Sequence, residues 1–139
     1  MKVSEFKYKK THRVRVKHEE KDFKRAKLRY GAYGLQAVTA GRLTERQLEA
    51  VKKTIKKHIK KEGNIWITVS LNRFLTAKPA EVRMGKGKGQ MSFAITIVKA
   101  GTIFVEIGGD LLSSKKAYEA LRLASQKLPL KVTICQYEI

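Results

Sequence analysis

The stretch "LTERQLEAVKKTIKKHIKKEG", residues 43–63, decides the fold. Thr44 followed by Gln47 forms a capping box, in which each side chain satisfies a backbone amide that the first turn leaves without a partner. Together with Gly63, a natural stop, this spacing predicts a helix over 45–62. Leu48, Val51, Ile55 and Ile59 recur at helical spacing and make one apolar stripe. Such a stripe must be buried against other elements, so the rest of the chain has to supply a sheet or further helices. Downstream, "NIWITVSL" (64–71) reads as a strand with Ile65, Ile67 and Val69 on one side. Residues 72–79 read as a loop and "AEVRM" (80–84) as a short strand. "SFAITIV" (92–98) and "IFVEI" (103–107) are further strands about a turn at Gly101. Ser113 or Ser114 caps a second helix with Ala117, Ala120, Leu121 and Ala124 inward, closed before Pro129. "LKVTIC" (130–135) is the last strand. Upstream, Leu35–Val38 is a strand among Gly31, Gly34 and Gly41. The expected architecture is an α+β layer, with two helices packed on a mixed, mostly antiparallel sheet. It forms a single domain over 30–139, preceded by a basic N-terminal arm, residues 1–29, read as mobile or extended. Within the arm, "RVRVK" (13–17) alternates as a strand does.

Charge narrows the function. The chain of 139 residues holds 31 Lys and Arg against 12 Asp and Glu, a net charge of +19. Residues 1–63 contribute +13 of it and residues 64–139 only +6. A compact body this basic repels itself, and a polyanion is the usual remedy, because each phosphate neutralised releases a counterion. Lys52, Lys53, Lys56, Lys57, Lys60 and Lys61 cover the helix circumference left by the apolar stripe. A face serving solubility alone would mix signs, so this one points to phosphate contact. An anionic membrane would call for bulkier aromatic anchors than Leu, Val and Ile, and no apolar run reaches spanning length, so membrane insertion is not expected. Phe6 and Tyr8 in the arm are available for stacking on bases.

Enzyme chemistry finds little support. His12, His18 and His58 lie among cations without a second catalytic group, and no zinc-ligand spacing or activated nucleophile appears. Neither a metal nor a cofactor is expected. The single cysteine, Cys135, excludes an internal disulfide and reads as a small buried hydrophobe. No apolar leader is visible and the first residues carry acids, so a cleavable presequence is not expected.

The segment "RMGKGKGQM" (83–91) remains. It lacks the four-residue spacing of a phosphate-binding P-loop, its dinucleotide-type spacing fails at Gln90, and no helix follows. It joins two strands instead. Glycines there permit positive φ and close approach, and lysines at alternate positions can reach phosphates.

Taken together, several blocks resemble the bacterial-type and organellar large-subunit ribosomal protein sixteen family. They are "KYKKTHRVR" (7–15), "YGAYGLQAV" (30–38), "GRLTERQLEA" (41–50), "GNIWITV" (63–69), "KPAEVRMGKGKG" (78–89) and "LRLASQKLPLK" (121–131), in order. The last-but-one is the most specific. Val14 stands where the family usually has Gly, residues 17–29 match poorly, and residues 71–77 replace a proline-containing loop. The resemblance implies an α/β-hammerhead layer and a structural, non-enzymatic role in the large ribosomal subunit. It implies a seat on large-subunit ribosomal RNA beside the aminoacyl-tRNA site, with tRNA and neighbouring ribosomal proteins as partners and no homo-oligomer. Contacts to ribosomal RNA are expected from Lys7, Lys9, Lys10, His12, Arg13, Arg15 and Lys17 in the arm. Arg42, Arg46, Lys52, Lys53, Lys56, Lys57 and Lys60 are expected to add to them around the first helix. Arg83, Met84, Gly85, Lys86, Gly87, Lys88 and Gly89 would form a tRNA-proximal loop. The drifted, lysine-rich character resembles an organelle-encoded, mitochondrial member, with the bacterial cytoplasm as the alternative compartment. The alternative function is a free, sequence-tolerant RNA- or DNA-binding architectural protein.

Overall fold

The computed structural model describes residues 10–13, 15–17 and 20–137. Lys7, Lys9, Phe6, Tyr8, Val14 and His18 lie outside the described residues. The elements run β1 (Tyr33–Ala37), β2 (Gly41–Thr44), α1 (Glu45–Ile59), β3 (Asn64–Ile67), β4 (Arg73–Ala77), β5 (Gln90–Val98), β6 (Ile103–Gly108), α2 (Ser114–Ser125) and β7 (Val132–Gln136). The fold is α+β. It has two sheets where the sequence suggested one: a four-stranded sheet in the order β3-β6-β1-β7 and a three-stranded sheet in the order β2-β5-β4. Every pairing between these strands is antiparallel.

Helix α1 begins as its capping box dictates. Thr44 Oγ1 accepts from the Gln47 amide at 3.3 Å, and Gln47 Oε1 accepts from the Thr44 amide at 2.9 Å. Leu48, Val51, Ile55 and Ile59 are all buried, as are Ala117, Ala120, Leu121 and Ala124 of α2. The small α2 residues let the two helices pack together, while α1 also touches β2 and β5 of one sheet and β3 of the other. Helix α1 therefore joins the two sheets into one core, at about 1.5–3 kcal/mol for each large aliphatic side chain removed from water.

The helix stops at Ile59, three residues short of expectation. Lys60 takes φ 55° and its amide bonds the Lys56 carbonyl at 2.9 Å. Gly63 does not serve as the stop. It lets the chain pass β6, since a Cβ there would lie 3.0 Å from the Gly108 carbonyl oxygen.

Two expected strands fail and one expected loop forms a strand. Residues 80–84 form no strand: Val82 and Met84 are exposed, and Glu81 turns the chain at φ 71°. The strand lies instead at Arg73–Ala77, within the expected loop, because β5 extends to Gln90 and offers it a partner. A β-favouring sequence forms a strand only where a neighbour exists to pair with. Among the described residues of 13–17 there is likewise no strand: they lie beside the edge strand β4 and β5 without joining the ladder. Strand β2, which the sequence reading did not identify, is set by its pairing with β5.

Candidate nucleic-acid interface

The first cationic surface is the outer face of α1. Lys52, Lys53, Lys56, Lys57 and Lys60 are exposed, as is Arg46, whereas Arg42 is half-buried on β2. The ion pairs of Lys17, Lys99 and Lys116 lie elsewhere, and among the described residues none falls on these helix lysines. Glu62, the acid nearest their end of the helix, is taken by Lys116, whose ammonium reaches both carboxylate oxygens at 2.7 and 2.9 Å. His58 is exposed on the same helix, with no zinc-type partner: no group of three or more His, Cys, Asp or Glu gathers among the described residues.

The second surface is the tip of the β4–β5 hairpin, where the loop 78–89 meets the arm. Gly85, Lys86 and Gly87 take φ 91°, 55° and 90°, three left-handed residues in succession. A Cβ at Gly85 or Gly87 would meet nothing within 4 Å, so glycine is needed there for conformation and not for space. Gly89 differs, because a Cβ would lie 2.5 Å from the Ala77 carbonyl oxygen across the neck of the hairpin. Lys78 folds over the loop and donates to the Gly85 carbonyl. Met84 at the tip is 99% exposed.

The arm is laced to this loop. Lys10 donates to the Lys88 carbonyl at 3.1 Å, and Lys88 donates to the Thr11 carbonyl at 2.5 Å. Two segments 77 residues apart, each carrying like charges, are thus held side by side, with His12, Arg13 and Arg83 exposed nearby in sequence. Like charges brought together repel, and an anion laid across both segments relieves that repulsion.

Farther along the arm, three acids hold its described residues. Glu20 bonds Lys99 at 2.6 Å and Lys17 at 3.0 Å. Those two ammonium groups, Lys99 foremost, hold its carboxyl down at about 2. Asp22 accepts from the Lys24 and Arg25 amides, and its own amide donates to Ala100 at 2.8 Å. Glu106, buried on β6, accepts from the consecutive amides of Arg29, Tyr30 and Gly31 at 3.0, 2.7 and 3.0 Å. This anchoring presents cations that the sequence reading passed over: Arg25, Lys27 and Arg29 line a cavity of about 240 Å³ beside β3. The signal available in the sequence was the pairing of "HEEKD" with a following basic run, acids acting as tethers for the cations beyond them. Cys135 is half-buried, donates to Gln36 Oε1 at 3.2 Å, and burial pushes its thiol pKa up. No helix is long and apolar enough to cross a membrane among the described residues.

Comparison with known proteins agrees with this geometry. The family model described as ribosomal protein L16p/L10e matches residues 3–135. The chain is 40% identical over 126 residues to large ribosomal subunit protein uL16 of Buchnera aphidicola subsp. Cinara cedri (strain Cc), covering 91% of this chain and 89% of that one. It is 44% identical over 126 residues to large ribosomal subunit protein uL16c of Cyanidium caldarium, covering 90% and 86%. A match along nearly the whole chain, with the cationic hairpin and the lysine-faced helix inside it, leads to one conclusion: the chain belongs to the ribosomal protein L16p/L10e family, whose members here are ribosomal structural proteins and not enzymes.

Proposed function

We propose that this chain is a structural constituent of the large ribosomal subunit. It binds large-subunit ribosomal RNA next to the aminoacyl-tRNA site and helps position tRNA near the peptidyl-transferase centre. The RNA phosphates are taken by Lys10, His12, Arg13, Arg15 and Lys17 of the arm and by Lys52, Lys53, Lys56, Lys57 and Lys60 of α1, with Arg42 and Arg46 at its start. Lys7 and Lys9 extend the arm's set. The loop Arg83–Gly89 faces the tRNA. Residues 1–29 act as the RNA-binding arm of a single domain over 30–139. The protein works as one copy among RNA and neighbouring ribosomal proteins.

The observation that carries the reading is the mutual lacing of arm and loop through Lys10 and Lys88, which concentrates positive charge where no acid answers it among the described ion pairs. The drifted, lysine-rich sequence favours an organelle-encoded member working in the mitochondrial matrix, over one in the bacterial cytoplasm. The test is sedimentation of a native extract through sucrose at low and high salt. Co-migration with the large subunit through the high-salt wash is expected, and release at modest salt would sink the assignment. Recovery from purified mitochondria decides the compartment, and recovery only outside them overturns the mitochondrial reading.

A further inference from the structure

Two grooves meet at Tyr30. One is the cationic cavity lined by Arg25, Lys27 and Arg29. The other is more open, about 540 Å³, and is lined by Lys61, Asn64, Trp66, Gly108 and Asp110. Tyr30 borders both. Its ring stacks on Trp66 with centroids 6.3 Å apart and planes 26° from parallel, yet the residue is 63% exposed.

An aromatic ring left in water needs something to hold it. Here the Tyr30 amide is the shortest of three bonds to Glu106, a carboxylate only 1% exposed. Gly108 lets the chain at Gly31 pass close to the end of β6, since a Cβ there would stand 3.1 Å from the Gly31 Cα, and the Trp66 indole packs over the same spot at contact distance, 3.4 Å from that Cβ position. The pair is therefore fixed in place before any partner arrives, with one face of Tyr30 open.

We propose that Tyr30 and Trp66 form a stacking platform for one unpaired base of the bound RNA. The strand's phosphates lie in the Arg25–Arg29 groove, and the base turns past Tyr30 into the second groove. The charges divide accordingly. The first groove carries three cations against one carboxylate, Glu106, whose Oε2 accepts from three amides. In the second, a single cation, Lys61, stands with two acids: Glu62, already engaged by Lys116, and Asp110, which repels a phosphate but accepts from a base amino group; the Asn64 amide offers a donor and an acceptor to a base edge. Stacking on an aromatic face is tolerant of base identity, so the platform selects an unstacked base, not a sequence. This inference rests on the RNA-binding function proposed above.

The sole tryptophan of the chain is Trp66, so its fluorescence reports the site directly. Full-length protein is titrated with single-stranded oligoadenylate and, separately, with an abasic ribose-phosphate strand of equal length. The expected result is quenching by oligoadenylate and none by the abasic strand. Tyr30→Ala should weaken oligoadenylate binding about tenfold, an aromatic–base stack lost. Tyr30→Phe should keep wild-type affinity, and both variants should bind the abasic strand as wild type does. Equal binding of both strands without quenching overturns the platform while leaving the RNA-binding function standing. Failure of wild-type protein to bind either strand overturns both.

Discussion

Glu106→Gln is the sharpest single perturbation of this fold. The wild-type carboxylate oxygen Oε2 accepts three amides in a row, from Arg29, Tyr30 and Gly31, and the side chain is buried. Glutamine has the same shape and keeps one acceptor oxygen, so no cavity opens. What it loses is charge. A hydrogen bond to a charged group contributes about 1.5–3 kcal/mol against about 0.5–1.5 for a neutral one, a difference of about 1 kcal/mol per bond. The three bonds share one oxygen and weaken one another, so the expected loss is about 2 kcal/mol in place of the full sum. For a chain of this size that corresponds to a fall in Tm of about 6 °C. Glu106→Ala goes further, since it leaves buried amides without a partner, and should cost about 4 kcal/mol. Urea and thermal unfolding give the totals, and hydrogen exchange at the amides of residues 29–31 locates the loss. A Glu106→Gln protein that melts within about 1 °C of wild type, with unchanged exchange at those amides, would show that the charge does not hold the arm, and the reasoning would be refuted.

Further expectations follow from other parts of the molecule. Gly31→Ala should destabilise by about 2 kcal/mol or more, because its Cβ would lie 2.4 Å from the Ile107 carbonyl oxygen. Gly87→Ala should cost only about 1–2 kcal/mol, from its left-handed backbone alone; the order of the two melting temperatures checks this. Replacing Lys52, Lys53 and Lys56 by Gln should lower the salt slope of ribosomal RNA binding by about 2–3, one phosphate contact per lysine, with the melting temperature unmoved; an unchanged slope removes that face from the interface. The Glu20 tether depends on pH with a definite sign. Its carboxyl is held down to about 2 from an ordinary 4.5, so its stabilising contribution is complete above about 4.5 and disappears as pH falls through about 2. Protection of the Asp22 amide, corrected for intrinsic exchange, should fall across that window in wild type and stay flat in Glu20→Gln. Finally, Cys135 should alkylate slowly at neutral pH, since burial raises its pKa; the rate should rise to that of a free thiol on unfolding in urea.

The helices were legible because their information is local. The capping box at Thr44 and the buried stripes of α1 and α2 depend on spacing within one element, and the structure keeps them residue for residue. The α+β class and the cationic face of α1 follow from the same periodicity. Strand identity was not local. "AEVRM" has the composition of a strand and forms none, while "RFLTA" forms one because β5 runs beside it. A strand's stabilisation comes from its cross-strand partner, and the sequence does not say which partner arrives. The candidate interface divides along the same line. Its charges and its glycines are read directly from the chain. The meeting of Lys10 with Lys88, the burial of Glu106 beneath three arm amides and the stacking of Tyr30 on Trp66 join residues 36 to 78 positions apart. The order β3-β6-β1 within one sheet gathers Trp66, Glu106 and the residues leading into β1, and the β4–β5 hairpin carries Lys88 to the arm; hydrogen bonding and van der Waals contact vanish beyond such range, so only the paired strands create these sites.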